Sequence, residues 1–326
     1  MQTEDGIREI AVKGGEAGER IDRFLSSRFR ISRTRVKKAI QRNLVLINGE
    51  RTTPHYRVKD GDRISIAPIE SKAPPPVEPE DIEIDIIYED PSLLVINKPS
   101  DMVVHPAPGH YTGTLYNALL YHLRNGIERG RANPGIVHRL DKDTTGLILV
   151  AKKDNVKDML TTEMKERRIS RRYLAIVWGH LRELEGTIDA GIGRHPHDRK
   201  KMSTYASRQR EAVTHYKVLE SFDVCDFVEV SLDTGRTHQI RVHFSSIGHP
   251  IVGDPTYGGG EGREAGFMGE GRKLAHQILR LIQRPALHAY KLTFTHPVGG
   301  GHMGFTSPLP ADLRRILKLL RSTYDS

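Results

Sequence analysis

The sequence predicts an α+β chain in two parts. A small N-terminal αβ module precedes a larger domain whose mixed, mostly antiparallel sheet is flanked by helices. Three observations predict this. First, the charge changes sign abruptly: residues 20–66 carry 13 Lys/Arg against 4 Asp/Glu, and residues 67–90 carry 1 Lys against 8 Asp/Glu. Second, five of the fourteen residues 67–80 (APIESKAPPPVEPE) are proline, which resists helix and sheet and makes a semi-rigid spacer. Third, strand-like runs outnumber helical ones beyond the spacer and follow one another directly in the second half. The boundaries drawn are 1–66 for the module, 67–80 for the spacer and 81–326 for the large domain.

In the module, Ile21, Phe24 and Leu25 stand at helical spacing. Ser32 is a fitting N-cap for a second helix with an apolar side of Val36, Ala39 and Ile40. Its other positions include Arg33, Arg35, Lys37 and Lys38, a cationic face suited to an RNA backbone. The run Leu44 to Ile47 ends at an Asn48-Gly49 turn signal, and Asp60-Gly61-Asp62 precedes the strand-like Arg63 to Ile66.

In the large domain, strands are expected at 84–88, 93–97, 146–151, 173–178, 213–219, 227–232, 238–244 and 287–295. Val156, Met159, Leu160 and Met164 mark one helix, and Leu313, Ile316, Leu317 and Leu320 mark another. The seven glycines of 258–271 predict a mobile loop or insertion.

Composition narrows the function classes. A net charge of +9 over 326 residues favours an anionic partner such as nucleic acid. The single cysteine, Cys225, rules out a disulfide framework or a Cys-rich zinc site within one chain. Apolar runs fall far short of the ~20 residues of a membrane span, and Met1 to Ile10 has no apolar signal region, so the expectation is a cytoplasmic protein off the membrane. The sixteen histidines show no metal-protease spacing. His195 and His197 are the tightest pair, and His238 and His243, placed on a strand, face opposite sides. Gly191-Ile192-Gly193 is too short for a dinucleotide-binding fingerprint.

The sharpest segment is Gly135 to Lys152, GIVHRLDKDTTGLILVAK, where a charged block runs into an apolar strand. Such a block is held rigidly while staying open to a ligand. On spacing alone Asp143 reads as a turn residue, and Asp141 fits a turn as well as a site.

HRLDKDTTGLILVAK closely resembles the active-site motif of the bacterial ribosomal RNA pseudouridine synthases typified by RluA and RluD. The resemblance continues through NKPSDMVVHPAPG at 97–109, RRYLAIVWG at 171–179, TGRTHQIRVHFSSIGHPIVGDPTYGG at 234–259 and ALHAYKLTFTHP at 286–297, covering roughly residues 82–315. RIDRFLSSRFRISRTRVKKAI, LINGE and VKDGDRI, within 19–66, resemble the small RNA-binding domain often called the alpha-L motif.

The resemblance implies an enzyme that isomerises uridine to pseudouridine in structured RNA, with large-subunit ribosomal RNA or an assembling ribosomal particle as partner. It implies no cofactor and no metal, and a monomer is the expectation. Asp141 would be the catalytic carboxylate. Arg139 would fill the space left by the flipped base, Tyr173 would stack on the uracil, and Arg236 would pair with the aspartate. Thr237 and Leu287 would shape the pocket. Two further basic stretches, Lys165 to Arg172 and Arg194 to Arg210, are expected near RNA phosphates.

Overall fold

The computed structural model describes residues 7–29, 31–68, 76–107, 109–125, 134–198 and 200–324. Half of the proline-rich spacer (69–75) and Arg199 of the second basic stretch lie outside the described residues. The chain divides into two compact units, residues 1–75 and 76–326.

In the first unit the order is β1 (Arg8–Ala11), α1 (Ile21–Phe29), α2 (Arg33–Gln41), β2 (Val45–Ile47), β3 (Glu50–Arg51) and β4 (Arg63–Ile66). The sheet runs β1-β4-β2-β3, antiparallel throughout. Ser32 caps α2 by accepting from the Arg35 backbone N–H, as its residue type predicts. Asn48 and Gly49 both take positive φ (52° and 85°), which the tight β2–β3 turn requires. Ile21, Leu25, Val36, Ile40, Val45 and Ile64 pack between the helices and one sheet face. The fully buried Asp22 gathers the cationic residues: Arg20 lies at 3.0 Å, Arg33 at 3.1 Å and Lys37 at 3.9 Å. Arg35 and Lys38 extend the same helix's basic surface.

The second unit contains β5 (Asp85–Glu89), β6 (Leu93–Lys98), α3 (Leu115–His122), β7 (Gly135–Ile136), β8 (Thr145–Ala151), α4 (Asp154–Lys165), β9 (Ser170–Trp178) and β10 (Glu185–Asp189). After these come β11 (Gly193–Arg194), β12 (Met202–Ser203), β13 (Val213–Phe222), β14 (Cys225–Leu232), α5 (Gln239–Ser246), α6 (Gly269–Leu281), β15 (Leu287–Thr295), β16 (His302–Thr306) and α7 (Ala311–Tyr324). Among the described residues ten strands form one sheet along β10-β13-β14-β9-β15-β8-β6-β5, with β16 on β15 and β7 on β8. Its β8–β15 pairing is parallel and the other described pairings are antiparallel, so the sheet is mixed and mostly antiparallel, as expected.

The sheet is covered on both faces, which explains the unbroken apolar runs of β6 and β8. Leu94, Ile96, Ile148 and Val150 join the larger core, with Leu115, Leu119, Ile240, Phe244, Ile278 and Leu317 from the helices. Leu93, Val95, Leu147 and Leu149 face the other way, onto Val156 and Leu160 of α4.

Two expectations are corrected. Residues 238–244 form the start of helix α5, not a strand. Gln239 to Phe244 alternate polar and apolar residues, a strand-like period, yet all six are buried in the helix. The glycine-rich segment is not a plain loop, since it holds a 3-10 turn at Arg263–Gly266 and the start of α6. Gly259 has its place by sterics, because a Cβ there would lie 1.8 Å from the Ile251 carbonyl oxygen, and Gly269 opens α6. Helices α3 and α6 were not foreseen.

Candidate active site

The site forms where the loop before β8 meets the start of α5. Gly146 permits this junction. At φ +113°, its hypothetical Cβ would fall 2.2 Å from the Ala289 carbonyl oxygen, so only glycine lets β8 run beside β15 here. The loop itself, Asp141 to Thr144, is held by two basic side chains. The buried Lys98 Nζ donates to the carbonyls of Lys142 (2.8 Å), Met102 (3.0 Å) and Pro99 (2.6 Å). Arg284 Nη1 donates to the Asp143 carbonyl at 3.1 Å while the same guanidinium binds Asp312. Burial pushes the Lys98 amine down to about 7, against the opposing pull of Asp143 and Asp141.

This loop delivers Asp141 into a cleft of about 570 Å³ lined by Arg139, Arg171, Tyr173, Arg236, His238, Arg241 and Leu287, among others. Asp141 Oδ2 accepts from Arg241 Nη1 at 3.1 Å. The guanidinium is itself fixed by the fully buried Asp254: Nε to Oδ2 at 2.6 Å and Nη2 to Oδ1 at 2.9 Å. Asp254 Oδ1 also accepts the backbone N–H groups of Thr256 (2.9 Å) and Tyr257 (3.2 Å). Bidentate geometry of this kind fixes the direction in which the remaining Nη1–H points. Two carboxylates on one guanidinium leave the trio with a net negative charge.

The arginine on Asp141 is therefore Arg241, and the expected Arg236 pairing is corrected. Arg236 sits in the turn before α5, on the cleft wall, where its Nε donates to the Glu211 carbonyl at 3.0 Å. A helix explains the difference. His238, the N-cap of α5, and Arg241 are one turn apart and share a face; on a strand they would point to opposite sides.

Tyr173 lies on β9, paired with Val230 and Ala289, with 4% of its surface exposed. Burial raises its phenol pKa, while the positive charge of the nearby Arg171 guanidinium opposes the shift. Arg139 is exposed in the cleft wall beside Leu140. His138 is structural: its Nε2 accepts the Leu149 backbone N–H at 3.1 Å, and burial pushes its imidazole down to about 3. His195 likewise accepts from the backbone of His197 and Asp198, a turn contact. Among the described residues no cluster of three or more metal-ligating side chains occurs.

The basic stretch before β9 is partly neutralised. Arg167 pairs with Asp233 at 2.9 Å and Arg168 with Glu163 at 2.6 Å, while Lys165, Arg167 and Arg171 line the cleft. His238, Arg241, Asp254 and Tyr257 were not singled out as site residues from the sequence. All four lie inside the segment 234–259, whose length and polar content were the available signal.

Comparison with known proteins gives a consistent result. Residues 92–246 match the RNA pseudouridylate synthase family and residues 19–64 the S4 domain. The chain is 42% identical over 316 residues to an uncharacterized RNA pseudouridine synthase of Bacillus subtilis, spanning 96% of this chain and 98% of that protein. It is 40% identical over 321 residues to ribosomal large subunit pseudouridine synthase D of Escherichia coli, spanning 96% and 94% respectively. Among solved structures, human RNA pseudouridylate synthase domain containing 4 superposes with a TM-score of 0.56 at 25% identity, over 73% of this chain and 93% of that one.

Proposed function

This chain belongs to the RluA family of RNA pseudouridine synthases and carries an S4 domain, and on that premise we propose that it isomerises uridines of large-subunit ribosomal RNA with Asp141 as the catalytic carboxylate. The observation that carries the reading is the half-buried Asp141, oriented by Arg241 within the cleft that Tyr173 lines. The RNA target is supported by the relatives named for the large ribosomal subunit.

The reaction breaks the N1–C1′ bond, turns the uracil, and joins C5 to C1′. C5 loses a proton and N1 gains one, so atoms and electrons balance without a redox partner. Uracil leaves as a delocalised anion. The Asp141 carboxylate supports either of two routes, attack on C1′ or removal of the C2′ proton to give a glycal. The base must first leave its stack, which costs a few kcal/mol. In this reading Arg139 fills the vacated space. Tyr173 offers a ring, and base–aromatic stacking contributes about 1–3 kcal/mol.

Residues 1–66 act as the RNA-binding module, residues 67–80 as its spacer and 81–326 as the catalytic domain, the whole working as a monomer. Arg33, Arg35, Lys37 and Lys38 supply phosphate contacts, of which Arg33 and Lys37 are already drawn toward Asp22.

The substrate class is tested by supplying C5-tritiated large-subunit rRNA, small-subunit rRNA and transfer RNA to the protein, with assembling large-subunit particles in parallel. Tritium release confined to large-subunit RNA or its particles is expected. Release from transfer RNA alone overturns the substrate assignment.

A further inference from the structure

Asp141 has a second neighbour besides Arg241. His238 Nε2 stands 3.9 Å from Asp141 Oδ1, on the side of the carboxylate opposite the Arg241 contact to Oδ2. The other ring nitrogen, Nδ1, lies 2.8 Å from the Tyr257 hydroxyl, and that oxygen already accepts the Met202 backbone N–H at 2.9 Å. Assigning the Tyr257 proton to Nδ1 gives that hydroxyl both an acceptor and, in Met202, a donor, and puts the imidazole proton on Nε2, the nitrogen on the Asp141 side. Burial lowers the His238 pKa, with Arg241 and Arg139 adding to the effect and Asp141 and Asp254 opposing it. The ring is thus a neutral donor at neutral pH.

The backbone supports the same arrangement. His238 holds φ 57° and ψ 22°, a left-handed conformation that L residues other than Asn and Asp rarely take. That conformation starts α5 with His238 and Arg241 one turn apart on the Asp141 side. Both are supported by one short segment: Asp254 fixes Arg241, and Tyr257, whose backbone N–H also binds Asp254, meets His238.

We propose that His238 is a positioning residue for pseudouridine formation, whose Nε2–H, set by Tyr257, steers Oδ1 of Asp141 across 3.9 Å by charge–dipole attraction, longer than a hydrogen bond, while Arg241 holds Oδ2 through one. A single contact from Arg241 leaves the carboxylate free to turn about its own bond. A second donor on the other oxygen defines the carboxylate plane and so the direction of its lone pairs toward the sugar. A neutral donor does this without cancelling the negative charge that the reaction uses. This inference rests on the reading of Asp141 as the catalytic carboxylate.

Two substitutions separate the roles. Asparagine tolerates the left-handed backbone and puts its amide where Nδ1 stands, so His238→Asn keeps a partner for Tyr257 and loses the donor to Asp141. Glutamine puts its amide nitrogen where Nε2 stands, so His238→Gln restores that donor. On C5-tritiated rRNA, H238N is expected to lower kcat on the order of tenfold or more, with KM unchanged within about twofold. H238Q should return kcat to within about threefold of the wild type. Wild-type kcat in H238N, or equal losses in both variants at an unchanged melting temperature, overturns the proposal.

A second readout needs no turnover. In 15N-histidine spectra, the resonance pair missing from H238N should show a protonated Nε2 and a bare Nδ1 at pH 7.5. The reverse tautomer overturns the proposal. An Asp141→Asn variant run alongside distinguishes the failures, since full turnover in D141N sinks the assignment of Asp141 while leaving the tautomer result to stand.

Discussion

Arg241 binds Asp254 through two hydrogen bonds and reaches Asp141 through one, so a buried carboxylate aims the guanidinium at Asp141. Arg241→Ala is expected to lower kcat at least a hundredfold and to destabilise the domain by about 3–5 kcal/mol, because Asp254 would remain buried without its cation. Arg236→Ala, which loses a cleft-wall contact to a backbone carbonyl, should retain kcat within about threefold and melt as the wild type does. Tritium release and thermal melts on both variants check the pair. Equal catalytic losses would place Arg236 back at the carboxylate.

Tyr173 combines a buried ring with a hydroxyl beside Arg171. Tyr173→Phe keeps the ring, so RNA affinity and fold are expected to hold, and any fall in kcat measures the hydroxyl. Tyr173→Ala also opens a cavity and should cost about 3–5 kcal/mol of stability. Urea unfolding together with steady-state kinetics separates these effects.

Gly146 and Gly262 both adopt positive φ, yet only Gly146 faces a backbone oxygen. Gly262→Ala should cost about 1–2 kcal/mol, the conformational penalty alone. Gly146→Ala should cost more than that and also reduce turnover, since the strand that carries the Asp141 loop would shift. Equal unfolding free energies for the two variants would refute the steric account.

How much of this was legible in the sequence varied with burial pattern. The runs of β6 and β8 read correctly as strands because they are short, β-branched in part and bounded by polar residues. The segment Gln239 to Phe244 was misread because its residues alternate polar and apolar, the period of a strand, while the helix buries all six and satisfies Gln239, Arg241 and His243 internally. That error hid the shared face of His238 and Arg241; the Arg236 pairing came from the resemblance, carried onto the first arginine of TGRTHQIR where the structure uses the second. Gly259 was misread for a related reason: a glycine required by a close carbonyl looks, in sequence, like one that lends mobility. Asp141 itself was ambiguous from spacing and gained its role from the resemblance of the surrounding motif.

Lys98 gives a pH dependence. Its folded value of about 7 lies below the ~10.4 of an exposed lysine. Between the two values the unfolded chain binds more protons than the folded one, so stability rises with pH from about 7 toward 10. Relative to Lys98→Met, which lacks the titrating group, the wild type should gain stability from pH 7 to pH 9 in urea unfolding. A flat difference would show that the lysine stays protonated throughout on its three carbonyls.

The most direct measurement is tritium release from C5-labelled large-subunit rRNA by the wild type and by Asp141→Asn, with RNA binding measured for both. The account predicts release by the wild type alone, at matched RNA affinity. Release by the D141N protein would contradict the assignment of Asp141 as the group that performs the isomerisation.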